Sequence, residues 1–207
     1  MWESAAIDAL RSAHLLCFAA GMGVSLYTEL RLVSLMATLL EERHVDELDR
    51  AHRWVTVAFG GLWITGLGLI YARTGFDAAA FPPKLWVKLA LMAVMTLNAL
   101  VIGRLVLQVL DGEVGWPLIA APLPVLSFLT AVAVVSAFGW TSGMLLGASA
   151  VLQVAPLRVV LGVMGALLLA IAAGAVLLMV MLRRRHMPSL VVPKPGPIKR
   201  IRRVLLP

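Results

Sequence analysis

Between Glu113 and Arg158 the chain reads VGWPLIAAPLPVLSFLTAVAVVSAFGWTSGMLLGASAVLQVAPL (residues 114–157), 44 residues without a formal charge. A second uncharged run, Val159 to Leu182, adds 24 more. A helix of about 20 apolar residues crosses the hydrocarbon core of a bilayer, so these runs alone hold at least two spans. Apolar segments of that length have no place in a small water-soluble fold. The remainder of the 207 residues agrees: 61% are hydrophobic, 14% are charged, and the mean hydropathy is +0.94. The expected fold is all-α, a polytopic membrane helix bundle.

A chain of this length has room for one membrane domain, placed at residues 1–187, and a basic, Pro-rich cytoplasmic tail at 188–207. The longest polar run, Glu41 to Arg53, has 13 residues and is too short for a soluble domain. Cys17 is the single cysteine, which excludes an intrachain disulfide or thiolate cluster. Glu3 and Asp8 precede Arg11, unlike the basic start of a signal peptide, so the first apolar segment reads as a retained helix. The net charge of +7 does not signal nucleic acid, because eight of the 18 basic residues follow Leu182. These are Arg183, Arg184, Arg185, Lys194, Lys199, Arg200, Arg202 and Arg203. A juxtamembrane cluster of this kind is drawn to anionic lipids and sets orientation by the positive-inside rule.

Five spans are expected. The first runs from Ser12 to Leu40, the second from Arg53 to Ala72, and the third from Lys84 to Leu110, opened by Pro82-Pro83. The fourth follows Trp116-Pro117 and ends near Phe138; the fifth follows Pro156 and stops at Arg183–Arg185. With an outside N-terminus and a cytoplasmic C-terminus, twelve basic residues fall inside and five outside, the bias expected of N-out, C-in topology. Gly139 to Ala155 is uncharged and too short for a span, and reads equally as a re-entrant piece or as an extension of the fourth helix.

Ionisable groups inside a span are costly and mark function by default. His14 lies one turn into the first span from the outer face, and Lys88 one turn into the third from the same face. Tyr71 and Arg73 close the second span there, and Met92 sits one turn deeper than Lys88 on the same helix face. His14, Tyr71, Arg73, Lys88 and Met92 therefore form a candidate outer-leaflet site. A neutral imidazole ligates heme iron or copper, a thioether serves as a second ligand, and Lys88 or Arg73 pairs with propionates or an anionic substrate. Other polar residues read as structural. Asn98 is expected to bond another span, with Thr65 as one candidate, and Glu29 to pair with Arg53 or Arg104. His44 and His52 flank an acidic stretch that is either a divalent-metal site or, more simply, a solvated loop.

The stretch Leu48 to Arg104 carries a resemblance. Thr65-Gly66-Leu67-Gly68 in the second span, Lys84-Leu85-Trp86-Val87-Lys88-Leu89-Ala90-Leu91 opening the third, and Leu97-Asn98 with Arg104 near its end resemble the copper-resistance protein D family. His14 fits the same pattern. The skeleton also looks like the bacterial membrane-bound protoporphyrinogen oxidase family, with His14 and Lys88, preceded by Trp86, in the places of its hallmark histidine and lysine. The resemblance covers residues 12–110. It implies a bacterial inner (plasma) membrane location and a heme b-linked redox protein, with His14 as axial ligand and Lys88, Arg73 and Tyr71 around the cofactor. The alternatives are copper handling by His14 and Met92, and a non-catalytic accessory subunit with a membrane protein partner or a second copy of itself.

Overall fold

The computed structural model describes residues 2–186 and is all-α. Five helices are long and apolar enough to cross a membrane: α1 Trp2–Leu35, α2 Glu42–Thr74, α3 Pro83–Gly112, α4 Leu123–Ala148 and α5 Leu157–His186. Large apolar side chains face outward on every one, among them Leu16 (72% exposed), Ile64 (75%) and Leu169 (72%). A lipid solvent tolerates that surface and water does not. The chain is a multi-pass membrane bundle. The expected tail at 188–207 lies outside the described residues.

Helix ends follow local chemistry. Glu41 and His44 form a capping box at the start of α2, the carboxylate accepting from the His44 backbone N–H and His44 Nδ1 accepting from the Glu41 N–H at 3.2 Å. This turns the polar run Glu41–Arg53 into the first turns of a helix rather than a loop, and it gives buried His44 a structural partner instead of a metal. At the other end Gly75, at φ 59°, lets α2 finish in a left-handed residue whose N–H returns to Tyr71 O at 2.8 Å. Pro83 opens α3, where a missing N–H costs nothing. One π-helical turn, Ile102–Val106, interrupts α3.

The first span ends earlier than its composition implies. Apolar Met36, Leu39 and Leu40 are not its last turn; they belong to a loop that pairs with the α3–α4 connection. Leu40 N–H donates to Trp116 O at 3.1 Å, Gly115 N–H to Leu40 O at 2.8 Å, and Ile119 N–H to Met36 O at 2.9 Å. Leu40, Leu110 and Leu118 close this end of the bundle in one buried cluster with Leu48, Val106 and Leu129. This is the end at which α5 finishes in Arg183–Arg185, here called the tail end.

Of the segment 139–155, residues 139–148 extend α4 and Val151–Val154 form a short separate helix before α5. The glycines of 139–148 explain the extension: a Cβ on Gly139 would overlap the Met95 sulfur, and one on Gly143 would lie 2.9 Å from Phe18 Cε2. Bare backbone on α4 thus receives side chains from α3 and α1. The α1–α2 pair packs most extensively of all, with Cys17 against Gly61 and Leu10 against Gly68.

Candidate functional site

His14 sits half-buried on α1, facing α2. Its Nδ1 lies 2.8 Å from Thr65 Oγ1, and Thr65 Oγ1 lies 2.7 Å from Gly61 O. The carbonyl oxygen can only accept, so the single Thr65 hydroxyl proton is committed to Gly61. The Thr65 oxygen then accepts from His14, so in the neutral imidazole the proton sits on Nδ1 and Nε2 carries the lone pair. Gly66 faces the same ring, and a Cβ there would meet His14 Cε1 in ordinary van der Waals contact at 3.5 Å. One ring nitrogen is thus tied to the scaffold and the other, in the neutral ring, is available as a ligand atom, the arrangement an outer partner imposes on a metal-binding histidine.

Cations gather around it. The Lys88 charge acts on the His14 ring, and Lys84 and Arg73 act in turn on Lys88. Lys84 and Lys88 are one turn apart on α3, and Arg73 lies two turns beyond Gly66 on nearly the same face of α2. Among the described residues none of the three forms an ion pair; the acid on this loop, Asp77, caps the short helical turn Ala78–Ala80 through Ala79 N–H at 3.0 Å. One cation, Lys88, acts on the imidazole and two more lie outward of it, a stretch of positive charge that suits an anionic group.

The other expected members are less closely drawn in. Tyr71 is 64% exposed, with its ring 5.5 Å from Phe76, and no hydrogen bond joins it to His14 or Lys88. Met92 packs with Cys17 and Trp63 against the buried Phe59–Trp140 cluster. Its backbone carbonyl accepts from Thr96, whose oxygen accepts in turn from Trp63 Nε1 at 3.2 Å. No group of three or more His, Cys, Asp or Glu side chains gathers for a metal among the described residues.

Two pairings differ from expectation. Asn98 Nδ2 donates to Val132 O on α4 at 3.3 Å, because Thr65 is already engaged with His14. Glu29 pairs with neither Arg53 nor Arg104: Arg53 bonds Asp49 within its own helix, and it is Arg31 that crosses to α2, meeting Glu47 at 3.4 Å. Tyr27 donates to the same Glu47 carboxylate at 2.8 Å. The part of Thr65 in seating His14 was not anticipated, although a hydroxyl in mid-span was visible. Lys84 was also missed, although its spacing of four from Lys88 places both on one face.

No family model, curated protein or solved structure matches this chain.

Proposed function

We propose that the protein is a heme b-binding redox protein of a bacterial inner membrane, with N-out, C-in topology and His14 Nε2 as an axial ligand near the outer leaflet. The observation that carries this is the chain from His14 to Thr65 to Gly61, which leaves Nε2 as the unprotonated nitrogen. The residues present suit such a group. Arg73, Lys84 and Lys88 supply positive charge for its carboxylates, and Thr65 holds the tautomer.

A heme bound there supplies one-electron chemistry at its iron. The protein's own contributions are orientation and charge. Thr65 prevents the ring from turning and raises the basicity of Nε2 through the bond to Nδ1–H. The cation trio favours an anionic cofactor over a neutral porphyrin ester and lowers the cost of placing its charges near the membrane surface. Copper handling is supported less well, since the Met92 thioether is engaged in packing on the Phe59–Trp140 cluster. The test is reconstitution: hemin titrated into heme-depleted protein in lipid nanodiscs. Saturation at one equivalent in the native chain, with loss of the saturable phase in His14→Ala, supports the reading. A featureless partition isotherm in both rejects it.

A further inference from the structure

A second site lies toward the tail end. Along α1 it is 11 residues from His14 to Ser25, about 16 Å of helix. There α1, α2, α3 and α4 line a partly open cavity of about 110 Å³. Its walls are mostly apolar, with Phe59 and Trp140 in edge-to-face contact at 6.2 Å and Met95 beside them. The π-helical turn of α3 contributes Ile102 and Val106. One region of the wall is polar. Ser25 and Ser136 join α1 to α4 at 3.0 Å, and one turn further along α1 is Glu29, with both hydroxyls beside its carboxyl group.

The donors and acceptors of that region do not balance. Two serine protons are available; one bridges the serines and the other reaches Glu29. Asn98 gives one N–H to Val132 O, which leaves its second N–H and its carbonyl oxygen for other partners. Glu29 Oε1 is buried without any hydrogen-bond partner. Among the described residues no cation pairs with Glu29, because Arg31 is turned to Glu47 and Arg53 to Asp49. His52 on α2 is the other titratable group lining the cavity, set against Gly103; α3 and α4 present none. A carboxyl group with one oxygen unpartnered, beside two serine hydroxyls in an apolar pocket, suits a ligand that brings N–H donors, one positive charge to hold the carboxylate form, and an apolar body. A divalent ion would leave a net charge in the bilayer.

We propose that this cavity binds a small primary or secondary alkylammonium ion, its nitrogen on Glu29, Asn98 and the serine pair and its hydrocarbon part against Phe59, Met95 and Trp140. A cavity of about 150 Å³ lined by apolar side chains accepts benzene, so a four-carbon amine suits this one. The test uses the full chain in nanodiscs and calorimetric titration with n-butylammonium, with 1-pentanol as its uncharged counterpart. Expected are one site per chain, at least tenfold weaker binding in Glu29→Gln, and 1-pentanol at least tenfold weaker than the amine. Ala133→Met, which fills the chamber and leaves Glu29 in place, should also lose the site while eluting as a single folded species. Equal affinity in Glu29→Gln, or no saturable binding to the native chain, overturns the proposal. Displacement of the amine by equimolar sodium overturns it in favour of an alkali-cation site. Heme content does not enter any of these readouts.

Discussion

Thr65→Val isolates the contact on which the outer site depends. Valine keeps the branched shape and nearly the volume of threonine, so the α1–α2 packing persists while the hydroxyl is lost. In the native chain that oxygen accepts from His14 Nδ1 at 2.8 Å in a part-buried setting. A hydrogen bond of this kind contributes about 1 kcal/mol net, which corresponds to roughly a fivefold change in the ratio of the two imidazole tautomers. Long-range ¹H–¹⁵N correlation on histidine-labelled protein in nanodiscs, with His14 assigned by its loss in His14→Ala, reads that ratio directly. The native spectrum should show His14 protonated on Nδ1. Thr65→Val should shift it toward Nε2–H, and Thr65→Ser should restore it. Loss of an orienting partner also weakens a ligand on the other nitrogen by about 10–100-fold. A native His14 carrying its proton on Nε2, or a ratio unmoved by Thr65→Val, would refute the reasoning.

Three further outcomes follow from packing and charge. A Cβ at Gly61 would lie 2.6 Å from Cys17 Sγ, so Gly61→Ala should destabilise by about 1–3 kcal/mol as an overpacked contact; Gly61→Ala with Cys17→Ala should recover most of the lost melting temperature. Gly139→Ala should likewise lower the melting temperature by driving Met95 from α4, and Met95→Ala should make the two changes less than additive. Burial holds the Glu113 carboxyl, in the tail-end loop, above its ordinary range. The folded chain keeps that proton to higher pH than the unfolded chain, so its contribution to stability is lost as pH rises through the raised value. Glu113→Gln should therefore melt higher than the native protein at neutral pH and converge with it below about pH 4, as read from unfolding in detergent across pH.

The five helices were legible because length and hydropathy decide them, and Pro83 and Pro156 mark two of the starts. Their ends were less so. Met36 and Leu40 look like span residues because they pack against 115–119, and burial in protein selects the same side chains as burial in lipid, whereas Leu39 beside them is exposed. Residues 139–148 read equally as a re-entrant piece or as more of the fourth helix, and their glycines accommodate Met95 and Phe18 rather than break the chain. Depth alone suggested an outer cluster of His14, Lys88 and Arg73, but α1 begins at Trp2 and seats His14 level with Thr65 and Gly66, about two turns deeper along α2 than Arg73. Which polar groups bond to each other was not visible. That depends on rotation about each helix axis, and a hydroxyl at Thr65 serves His14 or Asn98 according to an angle that composition does not encode. Glu29 shows the same limit: two arginines stood at suitable depth, but helix rotation turned the carboxylate inward to a serine pair.

The most direct measurement is the absorption spectrum, oxidised and dithionite-reduced, of the protein purified from heme-replete cells, with heme and copper quantified in the same sample. The account predicts a Soret band and a reduced α-band at about one heme per chain, lost in His14→Ala and kept in His52→Ala. A preparation without heme, or a Soret band that survives in His14→Ala, would contradict it.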